Sequence, residues 1–343
     1  MCMHAVMDNN CSEIWERLLL TRLLDSFEIG GLKLRNRIVM PPMYTGRATI
    51  EGAITDDLIN HYVLRSKALG LLIIEHSYVA DEGKLSEKQV GIYDEHLIPG
   101  LLKLSSRVQA TGTPVVLQIN HAGSKANRDV TGIKPVSSSP TKDVRELRID
   151  EINSLSETFA QAAEWGIEAG FNGIEVHGAH GFLLNQFSSP LANRRCDEYG
   201  GSLENRLRFP LEVVRNVKEK VGDKLLLYRL GSDDLDPSGT KIEESQKFAV
   251  KLEEAGVDII DVSGGICGSR PEKLQGIQGY FIPQARQIRK VVNIPVIGVG
   301  GIREPQFADK LIREGNVDFI AVGRQLLKNP DWAIKAIELL RKD

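Results

Sequence analysis

LLLYRLG (225 to 231), DIIDVSGG (258 to 265), PVIGVGG (295 to 301) and DFIAVGR (318 to 324) share one form, a short apolar run that ends in glycine or polar residues. Four earlier runs repeat it: IVMPP (38 to 42), LLIIEHSYV (71 to 79), PVVLQINHAG (114 to 123) and GIEVHGAH (173 to 180). Runs of this kind are expected of parallel strands covered on both faces, because neither face is left to alternate with polar residues. Between them, apolar residues recur at helical spacing over 56 to 69, 95 to 110, 150 to 169, 203 to 220, 242 to 255, 304 to 314 and 330 to 341. Gly70, Gly112, Gly170, Gly222, Gly256 and Gly315 stand at helix ends, where a left-handed cap is easiest for glycine. Eight such units close an α/β fold of the (β/α)8 TIM barrel type. An open doubly wound sheet is the rival, but it gives no reason for eight units with polar residues gathered at strand ends.

Outside the units, FEIGGLKLRNR (27 to 37) reads as an N-terminal β-hairpin turning at Gly30 and Gly31, placed to close the barrel floor. Residues 25 to 343 are thus expected to form one barrel, with residues 1 to 24 as an arm, partly ordered or an oligomer contact. Three connections, 124 to 149, 181 to 202 and 266 to 280, exceed what a tight β-α loop requires, and all follow strand C-termini, the face where barrels build active sites.

The composition narrows the classes of function. With 343 residues, 42% hydrophobic and 26% charged, the chain can bury one large core. Its formal net charge of −3 and mixed charge pattern argue against nucleic-acid binding. No apolar run approaches the roughly 20 residues of a membrane helix, and the first twenty residues lack a signal-peptide core. A cytoplasmic protein without membrane association is the expectation. Cys2, Cys11, Cys196 and Cys267 lack the C-x-x-C spacing of zinc or iron-sulfur sites and read as free thiols.

Chemistry gathers at the strand ends. IGVGGIREP and VGRQLLKNP each place glycines directly before a helix, as barrels do to grip phosphate after strands seven and eight. Gly300, Gly301, Gly323 and Arg324 are the candidates, against the plainer reading that glycine only makes the turns. A dinucleotide or triphosphate motif does not compete, since GVGGIR lacks the last glycine of G-x-G-x-x-G and no G-K-S or G-K-T occurs. His177 and His180, three residues apart at the end of strand four, can polarise a substrate, stand as structural histidines, or bind metal. No third metal ligand follows from spacing, so no metal is expected. Gln118 and His121 sit near the end of strand three. Arg229, on strand five, is either a structural ion-pair partner or a permanent charge facing an anionic cofactor ring.

The stretch HGAHGFLLNQFSSPLANRRCDEYGGSLENRLRF (177 to 209) resembles the hallmark of the Old Yellow Enzyme family, the NADH:flavin oxidoreductases, especially its short bacterial branch. NRIVMPPM (36 to 43), TDDLINHY (55 to 62), LQINHAG (117 to 123) and VGRQLLKNP (322 to 330) agree with it in order and spacing, from about Leu24 to Trp332. The resemblance implies non-covalent FMN over the barrel mouth, NADH or NADPH as reductant, and hydride delivery to a small activated acceptor. It places Gln118 at the pyrimidine edge of the flavin and Arg229 near N1. Gly300, Gly301, Gly323 and Arg324 fall at the phosphate, and Pro41 and Met43 beside the ring. His177 and His180 face the substrate oxygen. It also implies a dimer or tetramer.

Four residues depart from the family pattern. Phe182 stands where a proton-donating tyrosine is usual, and its ring has no proton to give. Tyr44 follows PPM where cysteine or threonine is common, and is a candidate for the missing donor. Ser124 replaces an arginine common after HAG. His76, at the end of strand two, is unexpected beside the flavin and is a further candidate contact. The expected activity is reduction of an α,β-unsaturated carbonyl, quinone or nitro compound. The alternatives are substrate dehydrogenation or isomerisation on the same flavin, a flavin-binding protein without turnover, and a non-redox metal-dependent lyase barrel.

Overall fold

A computed structural model describes residues 22 to 342, so most of the expected arm, with Cys2 and Cys11, lies outside the described residues. The chain opens with a hairpin of β1 (Phe27–Ile29) and β2 (Leu32–Leu34), whose turn glycines, Gly30 and Gly31, have φ of 54° and 72°. The eight expected runs then form β3 (Ile38–Met40), β4 (Leu71–Tyr78), β5 (Val115–Asn120), β8 (Gly173–Gly178), β9 (Leu225–Gly231), β10 (Ile259–Ser263), β11 (Val296–Gly298) and β12 (Phe319–Ala321). All pair in parallel with their neighbours, and β12 pairs with β3 to close the barrel. Between β5 and β8, a small parallel pair, β6 (Val136–Ser137) and β7 (Arg145–Glu146), folds the first long connection.

The floor is closed as the sequence suggests. Leu34 joins Val39, Leu71, Ile73, Val116, Leu225, Leu227, Ile259, Ile297 and Phe319 in the barrel's inner core, and Phe27, Ile29 and Leu32 pack against it. The Phe27 ring meets Phe319 edge-on at 5.0 Å. A second and larger core lies between the barrel and its helices, where Leu72, Ile74, Leu117, Ile174, Val176, Leu226 and Ile260 face outward. Alternate residues of each strand thus serve two cores, the period of two inherent in a strand, and this is why the runs read as continuously apolar.

The expected helices appear at Asp56–Ser66, Ile98–Gln109, Ile149–Glu168, Leu203–Val221, Ile242–Glu254, Pro305–Arg313 and Trp332–Leu340. An eighth, Ile282–Arg289, is absent from the sequence reading. It has only eight residues and buries just Ile282, Ala285 and Ile288, too short a repeat to stand out. Five of the six cap glycines have the expected positive φ. Gly70 does not: a side chain there would run into the backbone carbonyl of Asn36, so close approach of chain segments is what requires glycine.

Candidate functional site

At the C-terminal ends of the strands the barrel interior changes from apolar to polar. Gln118 and Glu175 are register partners in one layer, and His177, Arg229 and Asp261 are partners in the next. Gln118, Arg229 and Asp261 continue the inward alternation of Val116, Leu227 and Ile259 below them, and Glu175 and His177 follow Gly173 in the same way. Above them lies a cavity of about 540 Å³, lined among others by Pro41, Met43, Arg229, Ser263, Tyr280, Gly301, Gly323 and Arg324.

Glycine shapes this cavity at two points. Gly301 has φ of 66°, and a Cβ there would stand 3.0 Å from both Arg324 Nη2 and Tyr280 Cε1. A Cβ on Gly323 would press to 2.7 Å from Met43 Sδ. Gly300 is placed differently. It is not part of the cavity lining; its carbonyl accepts the Tyr280 N–H at 3.1 Å, and so anchors the 266 to 280 loop to the barrel rim. That loop brings Tyr280 to Arg324, with Nη2 donating to the phenol at 3.3 Å.

Beside this cavity, and outside its lining, stands a cluster of rings. His177 and His180 stand edge to face with centroids 5.0 Å apart, and Phe182 meets His177 edge-on at 4.8 Å. Phe182 also lies 5.7 Å from His76, which stacks on Tyr44 at 5.7 Å with the planes 11° apart. Ser263 links the cluster to the cavity, since it lines the cavity and its Oγ is 2.7 Å from His180 Nε2.

Local structure fixes each imidazole. His180 takes φ of 59°, uncommon for a residue with a side chain. Its N–H donates to Gly264 O at 3.0 Å, and its carbonyl accepts from Lys125 Nζ, so the kink is tied on both sides. The N–H of Ala179 donates to His177 Nδ1 at 3.3 Å, which leaves the ring proton on Nε2. Gln89 Nε2 lies 2.8 Å from His76 Nδ1, which by the same logic protonates His76 at Nε2. A β-bulge between Ile74 and Ser77 precedes this contact; it turns His76 toward the mouth and sends Glu75 to the Thr45 hydroxyl at 2.6 Å.

Electrostatics keep these rings neutral. Burial, then the neighbouring His180 and Arg229, hold His177 well below the usual histidine range. Burial and Arg229 do the same to His180. Burial lowers His76 to about 4 and His121 to about 3. At neutral pH the two site histidines are therefore uncharged, and each offers one N–H. Among the described residues no three His, Cys, Asp or Glu side chains form a group suited to a metal ion.

The geometry adds Ser263, Tyr280, Glu175 and Asp261 to the residues singled out from sequence. Ser263 follows Asp261 by two and so shares its inward face, a signal present in DIIDVSGG. Tyr280 carries no such signal, because only the folded loop sets it beside Arg324. Among the described residues no helix is long and apolar enough to cross a membrane.

Comparison with known proteins agrees with this architecture. The family described as NADH:flavin oxidoreductase / NADH oxidase matches residues 22 to 343. An NADH oxidase of Thermoanaerobacter brockii is 44% identical over 329 residues, 92% of this chain and 50% of that protein, so the chain spans about half the length of this relative. An NADPH dehydrogenase of Geobacillus sp. (strain WCH70) is 38% identical over 325 residues, covering 93% of this chain and 95% of that one. Among solved structures, the old yellow enzyme homologue from Zymomonas mobilis superposes with a TM-score of 0.82 at 26% identity, over 93% of each chain.

FMN suits the residues present. Gln118 Oε1 and Arg229 Nε are buried without a hydrogen-bond partner, as atoms awaiting a polar ring edge would be. The bare faces of Gly301 and Gly323 keep the cavity open at the points where a methyl group would crowd Arg324 and Met43. The chain belongs to the NADH:flavin oxidoreductase / NADH oxidase family of Old Yellow Enzyme relatives, barrels that bind FMN.

Proposed function

We propose that this chain reduces a small activated acceptor, an α,β-unsaturated carbonyl, a quinone or a nitro compound, with FMN held non-covalently across the barrel mouth. The observation that carries the reading is the pair of neutral imidazoles, His177 and His180, held 5.0 Å apart beside the cavity with the His177 proton fixed on Nε2. Bound FMN would supply the hydride relay between nicotinamide and acceptor.

The protein's own groups would bind, orient and polarise. Gln118 Oε1 would accept from the pyrimidine edge of the flavin, and Arg229 would offer a permanent positive charge to it. Pro41, Met43 and His76 would flank the ring, while Gly301, Gly323 and Arg324 would hold the phosphate end and Gly300 would only anchor the loop beside it. His177 and His180 would donate to the acceptor's oxygen. Two donors preset toward an oxygen stabilise negative charge as it develops there, and a buried site strengthens the effect. Phe182 would pack on the substrate without supplying a proton. Tyr44 is the phenol of the ring cluster, stacked on His76 and 42% exposed, and we assign it the proton exchanged with solvent.

An anaerobic visible spectrum of the purified protein tests the reading. NADH or NADPH should bleach a flavin band, and cyclohexenone should restore it with formation of the saturated ketone. A colourless protein that takes up no added FMN refutes the proposal. Tyr44→Phe should slow product formation by about 10² or more if the phenol is the general acid, and an unchanged rate removes that role. The Phe182 position favours a second reading, dehydrogenation or isomerisation on the same flavin; bleaching without reoxidation by the enone would select it.

A further inference from the structure

Beneath the imidazoles lie two carboxyl groups that the proposed reaction leaves unused. Glu175 on β8 and Asp261 on β10 are both 0% exposed, with Arg229 on the strand between them. The guanidinium pairs with one of them: Arg229 Nη1 lies 3.4 Å from Asp261 Oδ2. Glu175 Oε1 accepts from Gln118 Nε2 at 2.8 Å. Glu175 Oε2 and both oxygens of Asp261 have no hydrogen-bond donor, although the two carboxyls touch one another.

Two ionised carboxylates in this place would face each other in a dry interior, short of donors and with one cation between them. Such an arrangement is strongly unfavourable. A single proton resolves it, because a carboxylic acid has an O–H to donate and a carboxylate accepts it. Asp261 is the group paired with Arg229 and keeps the negative charge. Burial, then the Asp261 charge, pushes Glu175 well above the usual carboxylate range.

We propose that Glu175 is a neutral carboxylic acid in the folded protein at neutral pH, donating its proton to Asp261 and acting as a positioning residue for Gln118 and Arg229. With Gln118 Nε2 committed to Glu175, Gln118 must turn Oε1 away from it, as an acceptor. With Asp261 held by Glu175, the carboxylate keeps a fixed orientation toward Arg229. Both side chains are thereby set before a flavin arrives. The inference rests on the reading of Gln118 and Arg229 as flavin contacts.

Infrared spectroscopy of the apoprotein at neutral pH should show the carbonyl stretch of a buried protonated acid, and Glu175→Gln should remove it. FMN titration of apoprotein provides the second readout. Glutamine can accept from Gln118 and donate to Asp261 as the neutral acid does, so Glu175→Gln should bind FMN within about threefold of the parent. Glu175→Leu loses both contacts and should bind about tenfold more weakly or worse. Absence of the acid band overturns the proposal, and so does a Glu175→Gln protein as impaired as Glu175→Leu. An apoprotein with the band that takes up no FMN would refute the flavin reading and the positioning role, while the shared proton would stand.

Discussion

Replacing Arg229 with methionine removes the guanidinium and keeps much of its apolar stem. Arg229 is 4% exposed, and its partner Asp261 is fully buried at 3.4 Å. Breaking a buried pair by deleting one partner typically costs about 3 to 5 kcal/mol, most of it from the charge left alone. Asp261 can limit that loss by taking up a proton. In the parent protein burial raises Asp261 and Arg229 opposes the rise, so without Arg229 the folded-state value climbs further above the unfolded value of about 3.9. A carboxyl raised in the folded state destabilises the fold as pH increases, because the unfolded chain ionises first. The deficit of Arg229→Met is therefore small near pH 4 and deepens by up to about 1.4 kcal/mol per pH unit until the variant's own folded value is passed. A folded unit of about 320 residues unfolds with an entropy of about 0.7 kcal/mol/K, so 3 kcal/mol lowers Tm by about 4 °C. Thermal melts of the apoproteins at pH 5 and pH 8 should show the larger deficit at pH 8. Equal deficits at the two pH values would refute the coupling of Asp261 to Arg229.

Phe182→Tyr sets a phenol beside His177 and should, on the proposed function, raise the rate of enone saturation by about tenfold or more, read by stopped-flow reoxidation of the reduced flavin; a rate no higher than the parent's would mean that proton supply does not limit turnover. Gly301→Ala forces a side chain into the left-handed region at φ of 66° and sets a Cβ 3.0 Å from Arg324 Nη2. Strain of about 1 to 2 kcal/mol plus the lost space should weaken FMN binding by roughly tenfold, and unaltered affinity would place the phosphate elsewhere. Histidines buried neutral make the fold acid-sensitive. His76 at about 4 and His121 at about 3 lie below the unfolded value of about 6.5, so their contribution is complete above it and is lost as pH falls toward those folded values. Urea midpoints should drop between about pH 6.5 and pH 4, and a His76→Gln, His121→Gln double variant should flatten that slope.

The barrel is legible in the sequence because its strands feed two cores at once. Leu225 and Leu227 serve the inner core while Leu226 serves the outer, so neither face can carry polar residues until the strand nears the mouth. That is why Gln118 and Arg229 stand out as polar interruptions in otherwise apolar runs, and Glu175 and Asp261, which the sequence reading passed over, carry the same mark. The same alternation misleads at β4. Counting by two from Leu71 and Ile73 aims Glu75 inward and His76 outward, yet the bulge after Ile74 reverses them. A bulge adds a residue without a compositional mark, and so the count cannot see it. Tyr280 is hidden for another reason. Its approach to Arg324 spans 44 residues and depends on how the 266 to 280 loop settles against Gly300.

The stretch 177 to 209 carries the resemblance to the family, yet most of its side chains build the loop rather than face the cavity. Gln186 donates to Gly181 O at 2.7 Å and accepts from Ser137 Oγ at 2.9 Å. Asn193 bridges Phe187 O and Tyr199 O, each at 2.7 Å, and Arg195 reaches Leu147 O at 2.7 Å. All three are buried, and loss of a buried hydrogen-bonding group is costly at every one of them. Phe182 sits inside this frame but is tied to it through its backbone, donating to Ala179 O at 3.1 Å and accepting from Gln186 N at 2.8 Å. Its ring packs against His76, His177, the Lys125 ammonium and a small apolar cluster with Ala122 and Ala126, none of which hydrogen-bonds to it. A hydroxyl can therefore be gained or lost at position 182 without disturbing the hydrogen bonds that hold His177 and His180.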